Sequence, residues 1–166
     1  MKGGERWRRR SIRLPCYDYA AAGAYFVTIV TQDRAPILGT VVNGRAKCTV
    51  AGRMVWEVWS ALPSVHPCVQ VDTFVVMPDH VHGILVLAPR VMSDDEALEV
   101  MSLPTIVGLF KSMTTKRYIE GVNAHGWPSF RVRLWQRNYY ERIVRDDDAL
   151  DRIRRYILAN PARWRR

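Results

Sequence analysis

Apolar and polar residues follow two different periods along this chain, and each period predicts one type of element. Four stretches rich in β-branched and aromatic residues are typical of strands: 24–31, 68–77, 81–87 and 139–145. Apolar residues at every third or fourth position predict three helices: 49–62, a segment that starts at Leu103 behind the cap Ser102, and 146–160. Pro63 and Pro161 are expected to end the first and last helices, and 121–128 is expected to be a loop.

The predicted elements follow one another in the order β-α-β-β-α-β-α. The first six predict a ferredoxin-like βαββαβ fold of the α+β class, in which two helices cover one face of a four-stranded antiparallel sheet. The strand at 81–87 is expected in the middle of that sheet, and the C-terminal helix is free to cover the other face. Segment 33–44, with its Pro and Gly residues, predicts a loop with a short extra hairpin. We expect a basic N-terminal arm over 1–14 and a single domain over 15–166.

Charge is concentrated at the two ends of the chain, which carries a formal net charge of +9. Residues 1–13 contain six Lys or Arg and one acid, whereas 152–166 contain six Arg and no acid. The middle, 14–151, contains 13 basic and 15 acidic residues. Two basic ends on a near-neutral body favour a polyanionic partner such as nucleic acid. An anionic membrane surface, or charge that serves only solubility, is the alternative interpretation.

The cysteines and the apolar runs indicate in which cellular compartment the protein is expected. Cys16, Cys48 and Cys68 show no regular spacing, which favours a reducing environment. The N-terminus lacks the apolar region of a signal peptide, and no apolar run approaches the ~20 residues that a membrane-spanning helix needs. We therefore expect a cytoplasmic protein that has no membrane partner.

Two histidines, His80 and His82, stand one residue apart at the start of a predicted strand. Residues i and i+2 of a strand point to the same face, so both imidazoles can converge on one divalent cation. A third ligand must then come from elsewhere in the chain. The alternative is that both are ordinary polar residues on a half-solvated strand face, which is the more common explanation of an isolated His-x-His.

The last predicted helix combines a packing stripe with polar chemistry. Its apolar stripe consists of Leu150, Ile153 and Ile157. Tyr156 and Asn160 lie one turn apart along the edge of that stripe, with Arg152 beyond Tyr156 on the same flank. A tyrosine can act as a covalent nucleophile, arginine suits phosphate, and an amide oxygen suits a hard cation. Tyr156 could equally be a half-buried core residue, and Asn is common where a helix ends before a proline.

An aromatic and basic stretch covers residues 135–140 and includes Trp135, Arg137 and Tyr140. Such a stretch can form a stacking and phosphate-binding platform for single-stranded nucleic acid. It can equally close the core beneath a strand, and the sequence favours neither interpretation.

Three segments together resemble a known family. They are Pro-Asp-His-Val-His-Gly at 78–83, Leu-Trp-Gln-Arg-Asn-Tyr-Tyr-Glu-Arg-Ile-Val-Arg at 134–145 and Arg-Arg-Tyr-Ile-Leu-Ala-Asn-Pro at 154–161. The combination is similar to the HUH single-tyrosine transposases, and within them to the REP-associated tyrosine transposases. Arg-Arg-Ser-Ile-Arg-Leu-Pro at 9–15, Ala-Tyr-Phe-Val-Thr-Ile at 24–29 and Phe-Lys-Ser at 110–112 extend the resemblance over nearly the whole chain.

The resemblance implies an enzyme that cleaves and rejoins single-stranded DNA folded into imperfect palindromes. It implies that His80 and His82 bind a divalent metal, Mg or Mn, and that Tyr156 attacks the scissile phosphate to form a 5′-phosphotyrosine intermediate. Asn160 stands where related transposases have a Gln-type third ligand, and it is one methylene shorter. The protein is expected to be a monomer or a homodimer. The basic residues expected to contact DNA are Arg8, Arg9, Arg10, Arg13, Lys111, Arg137, Arg152 and Arg155.

Two other functions compete with this interpretation. One is a domesticated, non-catalytic protein that binds DNA hairpins and retains a vestigial metal site. The other is a small metal-dependent hydrolase whose basic ends are incidental.

Overall fold

The computed structural model describes residues 18–88, 92–93, 96–97 and 101–165. Its strands are β1 Gly23–Val30, β2 Gly39–Val42, β3 Arg45–Cys48, β4 Val69–Val76, β5 His80–Leu87, β6 Met92–Ser93, β7 Glu96–Ala97 and β8 Tyr140–Val144. Its helices are α1 Val50–Ser60, α2 Leu62–Val65, α3 Leu103–His125 and α4 Asp147–Arg163. The predicted arm at 1–14 lies outside the described residues, as does most of the connection between β5 and α3.

The central sheet confirms the predicted fold class. Its four strands lie in the order β4-β5-β1-β8, and every neighbouring pair is antiparallel. This is the ferredoxin-like order, with two helices between strand pairs and an added helix at the C-terminus. The histidine-bearing strand β5 lies between β4 and β1, as predicted. Its residues are therefore hydrogen bonded on both sides and fixed in register.

Alternating residues of the strands divide the apolar side chains between two faces. Tyr25, Val27 and Ile29 of β1 face α1 and α3 in the larger core. Phe26 of β1 and Ile84 of β5 face the other way and pack against α4. The predicted stripe of α4 is confirmed, because Ile153 and Ile157 are buried in this second core and Leu150 packs against it. The C-terminal helix therefore covers the face of the sheet that α1 and α3 leave open.

The first predicted helix begins as expected but ends earlier. Thr49 caps α1, and its side-chain oxygen accepts a hydrogen bond from the backbone N–H of Gly52 at 3.1 Å. The helix ends at Ser60, and Pro63 lies in the first turn of the short helix α2 instead of after the last turn of α1. Proline is compatible with a first helical turn because the N–H groups there have no partner within the helix.

The predicted loop at 121–128 is wrong over its first five residues. Ser102 caps α3 as expected, but the helix continues to His125. Gly121 does not end the helix; a Cβ atom there would lie 2.3 Å from ring atoms of Trp127, so the glycine makes room for the indole. The terminating glycine is Gly126, which adopts the left-handed conformation with φ 66°.

The prediction that Pro161 ends the last helix is also wrong. α4 continues through Pro161 to Arg163, and the N–H of Trp164 bonds to the carbonyl of Pro161 at 3.3 Å. A proline this close to a C-terminus removes one hydrogen bond without interrupting a long run of them. At the other end, Asp146 caps the helix through a 2.6 Å bond from the N–H of Ala149.

The expected extra hairpin is present as β2 and β3, which pair through a two-residue turn. Asn43 and Gly44 have φ values of 51° and 71°, the combination that tight hairpin turns favour. The hairpin places Gly44 beside Ala162 near the end of α4. None of the described helices is long and apolar enough to cross a membrane.

Candidate active site

The two histidines lie together on the face of the sheet that α4 covers. His80 and His82 open strand β5, and their ring centroids are 4.3 Å apart. Both residues are buried, each with 6% of its surface exposed. The ring of His82 stacks on Phe26 of the neighbouring strand at 5.5 Å. Strand alternation therefore produces the convergence that the sequence predicted.

Each ring is fixed through its Nδ1 atom. Nδ1 of His80 is hydrogen bonded to a carboxylate oxygen of Asp79, and Nδ1 of His82 lies 2.8 Å from the hydroxyl oxygen of Thr28. Thr28 reaches His82 because the two residues are direct partners in the β1–β5 register. Partners on Nδ1 orient the rings and leave the Nε2 atoms to face the space beneath α4.

Burial favours the neutral form of both imidazoles. Burial, with a smaller effect from His80, lowers the pKa of His82 to about 3. Burial also lowers the pKa of His80, although the adjacent Asp79 carboxylate acts in the opposite direction. A neutral imidazole is the form that binds metal ions, so the pair needs no proton release before it can act as a ligand.

Tyr156 brings its hydroxyl group to this histidine pair. The hydroxyl oxygen lies 3.5 Å from Nε2 of His82, and the two rings are 5.3 Å apart. The Tyr156 ring also meets Phe26 edge to face at 5.9 Å. The side chain is 41% exposed, so its oxygen can be reached from solution. One chain thus supplies both the histidines and the tyrosine.

Asn160 approaches His80 from the next turn of α4. The Asn160 side chain lies close enough to the His80 ring to act to raise its pKa, and the indole of Trp164 lies 5.7 Å from that ring. Two neutral imidazoles and an amide form a donor set that fits a divalent cation with nitrogen and oxygen ligands. Within the described residues, no group of three His, Cys, Asp or Glu side chains is arranged to hold a metal.

A strained turn supports the carboxylate behind His80. Asp33 and Arg34 have φ values of 55° and 52°, a left-handed conformation that residues other than glycine rarely adopt. The turn brings the Arg34 guanidinium to 3.3 Å from the second carboxylate oxygen of Asp79. Asp79 is 2% exposed and thus links a surface arginine to a buried histidine.

The predicted DNA-contacting residues occupy different surroundings. Arg137 is exposed on the segment before β8, and Arg152 and Arg155 are exposed on α4. Lys111 donates hydrogen bonds to the main-chain carbonyls of residues 136, 137 and 138, and it therefore holds this segment in place. Arg8, Arg9, Arg10 and Arg13 lie outside the described residues.

The aromatic stretch at 135–140 serves mainly the core. Trp135 is 4% exposed, and its indole N–H bonds to the hydroxyl of Thr114 at 2.8 Å. Tyr139 is also buried, whereas Tyr140 is 56% exposed beside Phe26. Tyr140 is therefore the only one of these three rings that can stack with a ligand.

Several residues around the site were not found from the sequence. The sequence shows that Asp79 is next to His80, but it does not show that the Asp79 carboxylate is hydrogen bonded to the His80 ring. Thr28, Phe26 and Arg34 reach the site only through the β1–β5 register and the strained turn. No local sequence signal marks them.

The fold and the site together describe a ferredoxin-like domain in which a histidine pair on the sheet faces a tyrosine on the C-terminal helix. The chain belongs to the IS200-like transposase family, because the family model described as "Transposase IS200 like" matches residues 24–160. A Haemophilus influenzae protein of uncharacterised function is 33% identical over 162 residues, covering 94% of this chain and 89% of the relative.

Further similarities agree with this family. A second Haemophilus influenzae protein, named "Putative REP-associated tyrosine transposase", is 27% identical over 147 residues, which cover 88% of this chain and 74% of that protein. The fold resembles the structure of a REP-associated tyrosine transposase bound to a REP hairpin, with a TM-score of 0.61, 18% identity, and coverage of 93% and 74% of the two chains. It also resembles a crystal structure described as a "putative transposase" from Deinococcus radiodurans, with a TM-score of 0.50, 16% identity, and coverage of 90% and 95%.

Proposed function

We propose that this protein is a transposase that cleaves and rejoins single-stranded DNA at hairpins through a 5′-phosphotyrosine on Tyr156. The observation that carries the proposal is the 3.5 Å approach of the Tyr156 hydroxyl to Nε2 of His82 within one chain. The hairpin preference is supported by the similar protein whose structure contains a REP hairpin. We further propose that residues 15–166 act as one catalytic domain and that 1–14 is a DNA-binding arm.

His80 and His82 would hold a divalent cation, Mg or Mn, and Asn160 would add an oxygen ligand. A bound divalent cation supplies charge stabilisation at the scissile phosphate and polarises the phosphorus for attack. Asp79 and Thr28 hold the two rings in the orientation that such binding needs, since each occupies the Nδ1 atom of one histidine.

The chemical step forms one bond and breaks another. The Tyr156 oxygen attacks phosphorus in line with the bond to the 3′ oxygen, and the phenol proton passes to water at this partly exposed position. The departing 3′ oxygen takes a proton from water and leaves as a 3′-hydroxyl. The product carries the 5′ phosphate on Tyr156. A second 3′-hydroxyl can reverse the step on another strand, so the rejoining needs no nucleotide triphosphate.

A labelled single-stranded hairpin oligonucleotide tests the proposal directly. The wild-type protein with Mn²⁺ should yield a covalent adduct, and mass spectrometry should place the nucleotide on Tyr156. Tyr156→Phe should lose the adduct yet bind the hairpin within a few-fold of wild type, because it removes one oxygen and little volume. Tyr140→Phe is a matched control, since both rings are exposed and both contact Phe26.

The competing functions give different results in the same assay. A mobility shift without an adduct would support the non-catalytic hairpin-binding protein, and neither shift nor adduct would support the hydrolase. An adduct on Tyr140, or one that persists in Tyr156→Phe, would contradict the assignment of the nucleophile.

A further inference from the structure

A groove of about 700 Å³ lies at the end of the sheet, close to the histidine pair but separate from it. One wall is the strained turn after β1, with Gln32 and Ile37 at its ends, and the other is the segment 129–137 that joins α3 to β8. We refer to this cavity as the sheet-end groove. Nothing in the chemistry proposed above uses it.

The groove adjoins the end of the sheet at which the histidine pair lies. Leu134 and Gln136 exchange backbone hydrogen bonds with Gln32 and Val30, at 2.8 and 2.9 Å. Val30 is in turn the register partner of His80 across β1 and β5. At about 4.8 Å between neighbouring strands, the 129–137 wall begins roughly 10 Å from the His80 backbone. Nucleic acid that is held at the histidines and runs across β1 around this end of the sheet would therefore reach the groove.

The charges of the groove suit a polyanion. Arg131, Arg133 and Arg137 line it and all three are exposed. Asp33 is the acidic residue of the lining, and its carboxylate already accepts a 2.8 Å hydrogen bond from the Gln32 amide. Arginine forms forked hydrogen bonds with phosphate oxygens, and three arginines against one engaged carboxylate leave the groove positive.

The groove also contains apolar surface of the kind that bases and sugars cover. Val132, between two of the arginines, is 75% exposed, the highest value among the exposed large apolar side chains of the described residues. Phe130 lines the groove from a half-buried position against Tyr118. Single-stranded nucleic-acid grooves combine basic side chains with aromatic ones, and Phe130 is the aromatic residue of this lining.

The C-terminal end of the wall that carries the arginines is anchored from behind. Trp135 is anchored in the core by its bond to Thr114, and the Lys111 ammonium binds three consecutive carbonyls of the segment. The opposite wall contains the left-handed residues Asp33 and Arg34, and backbone strain of this kind is concentrated at functional sites. The part of the arginine wall next to Trp135 is thus anchored before any ligand arrives, which lowers the entropic cost of binding there.

We propose that the sheet-end groove holds the single-stranded DNA that flanks the scissile phosphate, with Arg131, Arg133 and Arg137 on its phosphates. The position of the scissile phosphate rests on the proposed function. The binding itself does not, because it can be measured without metal and without cleavage.

The test compares two double variants that remove equal charge. Arg131→Gln/Arg133→Gln alters the groove, and Arg53→Gln/Arg117→Gln removes two exposed arginines that line a different cavity, on α1 and α3. Each is measured in the Tyr156→Phe background without metal, by fluorescence anisotropy. The DNA is a hairpin with single-stranded flanks on both sides, or the same hairpin without flanks. Circular dichroism and thermal melting verify that each variant is folded.

The groove variant should bind the flanked hairpin about tenfold more weakly near 0.15 M salt, with a slope of log affinity against log salt smaller by about 1.4, since each single-strand phosphate contact contributes about 0.7. It should bind the flankless hairpin within twofold of the parent, and the control variant should bind both DNAs within twofold. Equal losses on both DNAs, equal losses in both double variants, or no loss at all would overturn the proposal. Absence of a covalent adduct with the wild-type protein would instead contradict the proposed function and leave these binding results interpretable.

Discussion

At the scale of single residues, the site depends on how the two histidine rings are held. Nδ1 of each ring has its own partner, and burial lowers the pKa of both rings. Partners of this kind fix ring orientation and ligand basicity, and they cost affinity or activity when removed. The residues that touch a bound ion and those that only orient its ligands should therefore respond differently to substitution.

Replacing either of the proposed metal ligands, His80 or His82, should abolish cleavage without abolishing DNA binding. We expect His80→Ala and His82→Ala to lower the rate of adduct formation by at least about a hundredfold, because the charge stabilisation at phosphorus is lost. Hairpin affinity should stay within a few-fold, and chelation with EDTA should reproduce the effect in the wild type. His125→Ala, at the exposed end of α3, is the control. Near wild-type cleavage by either variant would refute the metal assignment.

Removing the charge on Asp79 should weaken metal binding, although the proposed ligands His80 and His82 are still present. We expect Asp79→Asn to reduce Mn²⁺ affinity by roughly tenfold, the lower end of the effect seen when a residue behind a ligand is changed. Titration calorimetry with Mn²⁺ measures this directly. Asp33→Asn changes a carboxylate in the same turn region that does not contact His80, and it should leave the affinity unchanged; equal effects of the two variants would contradict the role of Asp79.

At the scale of elements, α4 decides whether Tyr156 reaches the histidines. Besides its apolar stripe, the helix is tied to β4 by Arg154, which bonds to both carboxylate oxygens of Asp72 at 3.0 and 2.6 Å. Asp72 lies at the irregularity in the β4–β5 register between Val71 and Phe74. The bulge turns this carboxylate toward α4, and the ion pair orients the helix two residues before the tyrosine.

The Asp72–Arg154 pair should make the stability of the protein depend on acid pH. Hydrogen bonding to Arg154 lowers the pKa of Asp72 from 3.8 to about 2, so its stabilising effect is present above pH 4 and is lost as the pH falls through about 2. We expect Asp72→Asn to lower the free energy of unfolding by about 1 kcal/mol at pH 7, the upper end for a partly exposed pair.

Urea unfolding at pH 7 and pH 3 measures that difference, which should shrink at the lower pH. Asp151→Asn removes the other carboxylate bonded to Arg154, on α4 itself, and should cost less because it does not link two elements. A difference that is unchanged between the two pH values would contradict the assigned ion pair.

Two glycines of α3 should respond in opposite ways to the same substitution. Gly121→Ala would place a Cβ atom 2.3 Å from ring atoms of Trp127, so we expect a loss of roughly 1–3 kcal/mol of stability. Gly108→Ala meets nothing within 4 Å in the same helix and should gain up to about 1 kcal/mol. Thermal unfolding of both variants tests this contrast. If both gained stability, Gly121 would not be a packing residue.

At the scale of the whole molecule, the distribution of charge should govern DNA binding. Residues 1–13 contain six basic residues, and each that contacts a single-strand phosphate adds about 0.7 to the slope of log affinity against log salt. Deleting 1–14 should lower that slope by up to about 4 and weaken binding most at low salt. Replacing the six basic residues with Gln separates charge from chain length. An unchanged slope after the deletion would show that the arm does not touch DNA.

The sequence by itself predicted the four strands of the central sheet, the three long helices, their order and the residues proposed to carry the chemistry. Strand and helix periods are local properties, so β1, β4, β5 and β8 and the stripe of α4 were predictable, and their order limited the sheet to one common topology. His80 and His82 were recognisable because a spacing of two on a strand fixes a shared face. The motifs shared with a transposase family, which the family match confirms, pointed to Tyr156.

Only the tertiary structure decided what surrounds those residues. The ends of α3 and α4 were misjudged because Gly121 and Pro161 act through packing and position in the helix, which local propensity does not contain. Thr28 meets His82 through strand register, and Arg34 meets Asp79 through a strained turn, so neither pairing leaves a mark in the sequence. Contacts between residues distant in the chain depend on how elements pack, and packing is a property of the folded molecule as a whole.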